Sequence, residues 1–135
     1  MTELDDIPAP RGQLTLKLLA SRQDANLHDD IAGGWLVAHM DQAAELAAGR
    51  EAMGRTATVA IEAMDFLCPV RVGSMVNIFT EVREIGHSSV KVNVEVWIRP
   101  PHERDPEELY KVTEARFVMV ALDDNGRIRA VCKAS

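Results

Sequence analysis

From Ser89 to Ile98 the chain alternates without a break: Val90, Val92, Val94, Val96 and Ile98 are separated by Lys91, Asn93, Glu95 and Trp97. A period of two is the mark of a strand with one face buried. Val76, Ile78, Thr80 and Val82 repeat it less regularly, and Thr58–Met64 and Tyr110–Leu122 are also rich in β-branched residues. Leu14-Thr15-Leu16-Lys17-Leu18 predicts a short first strand. Between Trp35 and Ala48 the period changes. Leu36, Met40, Ala43 and Ala47 fall on one face of an α-helix, and Val37, Ala44 and Ala48 widen the stripe. So much alanine on so broad a face predicts a helix lying close against a sheet. Glu84-Ile85-Gly86-His87 reads as a hairpin connection and Asp123-Asp124-Asn125-Gly126 as a turn. Pro100–Glu108 is a charged, proline-bearing loop. The order is strand, loop, helix, then about four antiparallel strands, which makes the class α+β with a curved sheet wrapped around one helix. Such a sheet leaves an edge or a face that a second copy of the chain can cover.

Composition narrows the function classes. At 135 residues the chain has room for one domain. The polar segment 1–11 is expected to be a flexible lead-in and 12–135 the domain. A net charge of −6 argues against a nucleic-acid surface. No run approaches the ~20 apolar residues of a membrane helix, and the start lacks a secretory core. Cys68 and Cys132 lie far apart and read as two reduced thiols, which places the chain in the cytosol.

Asp41 is the anomaly of the helix. Val37 and Ala44, four before and three after, belong to the apolar stripe, whereas His39, Gln42 and Glu45 mark the polar one. A carboxylate there must be paired, solvated in a cleft or desolvated at a cost of several kcal/mol, by rough estimate. Spacing leaves two roles open, a catalytic acid or a boundary residue. Gly33-Gly34 ease the entry to the helix, and the N–H groups there form the positive end of its dipole, where an oxyanion can be held. Asp41 lies two turns further on, so one helix cannot present both groups to one carbon; two antiparallel helices from paired subunits can. The loop Asp24–Asp30 contains one histidine and three acids but has no zinc or EF-hand spacing, so no metal is expected; Asp30 reads as a helix cap. Asn26 could orient a water or a carbonyl oxygen. Ser88, Ser89 and Lys91 offer hydroxyls and a cation at a strand start, suited to phosphate or simply to solvent. The chain has no G-x-S-x-G elbow and no P-loop.

Taken together, Asp24-Ala25-Asn26, then Asp30-Ile31-Ala32-Gly33-Gly34-Trp35-Leu36, then His39-Met40-Asp41 resemble the signature of bacterial YciA-like acyl-CoA thioesterases. Val59–Phe66, Pro69–Gly73, Ser88–Trp97 and Thr113–Phe117 agree with it in order and spacing. The resemblance spans nearly the whole chain after residue 12. It implies a hot-dog fold, hydrolysis of acyl-CoA to free acid and CoA, and Asp41 as the catalytic carboxylate. It also implies that Asn26 faces that carboxylate from the partner subunit, that Ser88, Ser89 and Lys91 contact CoA, and that homodimers gather into a hexamer. CoA enters as part of the substrate, and no cofactor is implied. One stretch departs. The family loop reads N-x-N-G-D-I-F-G-G, and this chain has Asp29 in place of the glycine and Ala32 in place of the aromatic. The changes bear on loop conformation and acyl-chain preference. Two rivals differ in class: a hot-dog hydratase or dehydratase, which needs a catalytic histidine with an acid partner, and a non-catalytic acyl-CoA-binding protein.

Overall fold

The computed structural model describes residues 9–131. Five strands, β1 (Gln13–Leu19), β2 (Thr56–Glu62), β3 (Met75–Ile85), β4 (Ser89–Arg99) and β5 (Tyr110–Ala121), form one antiparallel sheet in the order β1-β3-β4-β5-β2. The helix α1 (Gly33–Ala52) crosses its concave face. This is the hot-dog arrangement, one central helix wrapped by a curved sheet.

Strand β4 sits at the centre because every second residue can be buried. Val90, Val92, Val94 and Val96 are fully buried and share one cluster with Leu36, Met40, Ala43, Ala44, Ala47 and Ala48 of α1. Each such valine or leucine contributes about 1.5–3 kcal/mol of burial, and the alanines let the helix approach closely. Register shifts at Leu14/Leu16, Thr58/Ala60, Val82/Glu84 and Val96/Trp97 mark bulges that bend the strands around the helix.

The helix is longer than its apolar period predicts. It starts at Gly33, two residues before Trp35, and runs four beyond Ala48 to Ala52. Its end is a left-handed residue, Met53, followed by Gly54. There the Arg129 guanidinium donates to Ala52 O at 2.9 Å, a cation on the negative end of the helix. The residue before the helix is Ala32, which has no capping side chain, so the expectation that Asp30 caps it is corrected. Asp30 is instead held in a backbone bridge to Arg71. The strand predicted at 58–64 forms two residues earlier, and its successor Ala63 turns into the left-handed region.

Among the described residues two edges remain unpaired, β1 and β2. On β2, Val59 is 58% and Ile61 42% exposed. An apolar edge open to solvent is a template for another strand. Of the lead-in, residues 1–8 lie outside the described region, as does Cys132; the Arg11 amide donates to Glu95 Oε1 at 3.4 Å. Cys68 is partly buried, and that burial pushes its thiol pKa upward.

Candidate active site

Asp41 is half-buried two turns into α1, and it is not alone. Thr58 of β2 donates its hydroxyl to Asp41 Oδ1, and the same hydroxyl lies 3.3 Å from Met119 Sδ on β5. The register shift at Thr58/Ala60 falls at this residue, where a bulge re-aims a side chain. The pair sits beside β2, the strand with the open apolar edge.

Asn26 is fixed by its own loop. Its Oδ1 accepts from the His28 amide at 2.8 Å and the Asp30 amide at 3.2 Å, and its backbone N–H donates to Asp30 O at 2.8 Å. The carboxamide oxygen is thus committed to the loop, and the NH2 end is left as the donor for a ligand. Asp29, where the family pattern has glycine, adopts φ 62. The left-handed backbone is kept, by a residue that tolerates it better than most. Just before the loop, the Asp24 carboxylate accepts from Ser21 N at 3.0 Å and Ser21 Oγ at 2.8 Å. These bonds hold the Asp24 pKa below the usual range and brace the turn Arg22–Asp24.

At the helix start the two glycines differ. A Cβ on Gly33 would meet the Phe66 ring at 3.2 Å, whereas one on Gly34 would meet nothing within 4 Å. Neither amide has a backbone acceptor among the described residues. Gly34 therefore presents an open N–H at the positive end of α1. Seven residues of helix separate it from Asp41, roughly 10 Å of rise, so one chain does not bring Gly34 and Asp41 to one carbon.

Ser88, Ser89 and Lys91 stand elsewhere again. Val90 points into the core, so its neighbours Ser89 and Lys91 face outward on β4, on the opposite side of the sheet from Asp41. Lys91 Nζ lies 3.8 Å from Glu84 Oε2, and Ser88 O accepts from the Ala121 amide. Within one chain these residues do not join the Asp41–Thr58 pair.

The fold has known counterparts. The thioesterase superfamily model matches residues 28–104. The acyl-CoA thioester hydrolase YciA of Salmonella typhimurium is 40% identical over 129 residues, covering 96% of each chain. The chain belongs to the YciA-like acyl-CoA thioesterase family. A solved hexameric, broad-specificity acyl-coenzyme A thioesterase superposes with a TM-score of 0.87 at 39% identity, over 93% of this chain and 85% of that one. An acyl-CoA hydrolase from Staphylococcus aureus, solved with butyryl coenzyme A and coenzyme A, gives 0.78 at 28% identity, over 86% and 69%.

Further solved structures of the staphylococcal hydrolase carry alanine in place of an asparagine, an aspartate 15 positions later and a threonine 17 beyond that. In this YciA-like chain Asn26, Asp41 and Thr58 are separated by the same 15 and 17 positions. Thr58 was absent from the residues singled out in the sequence. Threonine is an ordinary strand former, and only the fold shows its hydroxyl on Asp41. The available signal was a lone hydroxyl at an inward strand position. The histidine chemistry that a hydratase needs finds little support: His39 Nδ1 lies 3.3 Å from Gln42 Oε1, with its ring 4.4 Å from that of Trp35.

Proposed function

We propose that this chain hydrolyses acyl-CoA thioesters at a site shared by two copies, with Asp41 and Thr58 from one and Asn26 and Gly34 from the other. The observation that carries the proposal is the Thr58 hydroxyl on Asp41 Oδ1 beside an open, apolar strand edge. Thr58 holds one carboxylate oxygen, and Oδ2 has no partner among the described residues, so it is free to take a proton from water. The water oxygen bonds to the thioester carbon, and its proton passes to Asp41. The Gly34 N–H and the Asn26 NH2 receive the negative charge on the carbonyl oxygen. Collapse breaks the C–S bond, and the proton from Asp41 goes to the leaving thiolate, giving a free acid and CoA.

Two geometric facts support the shared site. The ~10 Å along α1 keeps Gly34 and Asp41 of one chain apart, and the exposed Val59 and Ile61 suit β2 for pairing with its copy. A C2 pair then has two equivalent sites. The hexamers among its relatives favour three such pairs. Ser88, Ser89 and Lys91, on the outer sheet face, can serve CoA bound to another copy. The test is a hydrolysis screen of acyl-CoA chain lengths, reading released thiol, for wild type and Asp41→Asn. Wild type should hydrolyse part of the series, and Asp41→Asn should fold and assemble while losing about 100-fold or more in kcat. A folded Asp41→Asn with near-normal turnover overturns the assignment.

A further inference from the structure

The Asp24 carboxylate has neighbours from both ends of the Asn26 loop. Ser21, ahead of it, donates its backbone N–H and its hydroxyl to Oδ2 at 3.0 and 2.8 Å. Trp35, eleven residues further on in the first turn of α1, brings its indole to the same carboxylate as a hydrogen-bond donor. The His39 ring packs edge-on against that indole, centroids 4.4 Å apart, and backs it from the next turn. Between these anchors lie the two donors assigned above to the carbonyl oxygen. Asn26 comes two residues after Asp24, and Gly34 one before Trp35. The stretch that joins them folds on itself, with Asn26 Oδ1 holding the His28 and Asp30 amides and Ala25 bridged to Ile31. It also carries Asp29 at φ 62, a backbone that a residue with a Cβ adopts only at a cost. Those internal bonds fix the shape of the loop. The contact between Asp24 and Trp35 fixes its start against the helix.

We propose that Asp24 is a positioning residue for the reaction: through Ser21 and Trp35 it sets the Asn26 NH2 against the Gly34 N–H, so that both donors meet one oxygen. The role rests on the hydrolase reading above. Asp24 itself touches no reacting atom. It suits the task because an ionised carboxylate only accepts, and three donors converge on it from Ser21 and Trp35. Asp24→Asn keeps the shape but exchanges one acceptor oxygen for an NH2, which cannot accept from any of them. Donors set in advance toward a developing oxyanion act on the transition state more than on the bound thioester. Misplacing them therefore lowers kcat and leaves KM nearly alone.

The test takes Asp24→Asn, Trp35→Phe and their double variant through steady-state hydrolysis of one acyl-CoA, with urea midpoints and the Trp35 indole N–H resonance measured alongside. Trp35→Phe keeps an aromatic ring against His39 and loses the N–H, so it carries the test should Asp24→Asn fail to fold. Asp24→Asn is expected to lose about ten- to a hundredfold in kcat, the scale of groups displaced by up to about 1 Å, and Trp35→Phe about tenfold. KM should stay within about twofold in both. The double variant should be no slower than Asp24→Asn, because the indole acts through the carboxylate. Asp24→Asn should also move the indole resonance, which is identified by its loss in Trp35→Phe. A folded variant pair with wild-type kcat, a loss carried by KM, losses that multiply in the double variant, or an indole resonance that ignores Asp24→Asn overturns the positioning role. Wild-type turnover tells this failure from the other: a wild type that hydrolyses no thioester overturns the hydrolase reading, and the positioning role with it.

Discussion

Replacing Thr58 with valine keeps the branched shape and the strand propensity but removes the O–H that Asp41 Oδ1 accepts. A hydrogen bond to a charged group contributes about 1.5–3 kcal/mol, which converts to a factor of roughly 10–150 in rate. Asp41 is only half-buried, so water can replace part of the lost bond, and the lower part of that range applies. The expectation for Thr58→Val is a fall in kcat of about 10- to 30-fold. KM should stay within about twofold, because Thr58 touches the carboxylate and not the CoA moiety. Global stability should change by less than about 1 kcal/mol, since the valine methyl lies against Met119 in place of the hydroxyl. Thr58→Ser keeps the donor and should recover most of the rate. Steady-state hydrolysis of one acyl-CoA, with denaturation midpoints measured in parallel, checks all three values. A Thr58→Val enzyme with wild-type kcat, or a Thr58→Ser enzyme as slow as the valine variant, would refute the role of that hydroxyl.

Two other changes probe the frame around the site. Asp29→Gly should stabilise the protein by about 1 kcal/mol, the scale of a non-glycine residue held at positive φ, and urea midpoints read it directly. Glu114, on the outer sheet face, has a pKa lowered first by its hydrogen bond to Lys111. A carboxylate with a lowered folded pKa contributes stability that is present above its ordinary value and lost as pH falls through the folded value. Glu114→Gln should therefore lower stability at neutral pH and converge on wild type as pH falls below the folded value, which flattens the acid limb in that window; an unchanged stability curve would show the pair to be energetically silent.

The core was legible because its periods are clean. The valines of β4 and the alanine-rich stripe of α1 reach the burial that their spacing predicts, except for Val37, which is only partly buried. Element ends were less so, because they depend on backbone geometry. Gly33 begins the helix under the Phe66 ring, and Met53 ends it in a left-handed turn braced by Arg129 from the far end of the chain. Asp41 stood out as an acid on an apolar stripe, and family resemblance singled out Asn26. Thr58 was hidden, since its significance comes from a contact made 17 residues away across a bulge. The outward aim of Ser89 and Lys91 follows from the alternation that buries Val90, yet that alternation alone does not tell which face of the sheet carries the helix residue Asp41.

The central claim is that one site takes residues from two copies. Asp41→Asn and Asn26→Ala subunits, each inactive alone, can be mixed in equal amounts, dissociated and reassembled. With random pairing about half of the dimers are mixed, and each mixed dimer holds one intact site of two. Activity should therefore return to about one quarter of the value for wild-type chains taken through the same treatment. A mixture that stays dead while the wild-type chains recover would contradict the shared site.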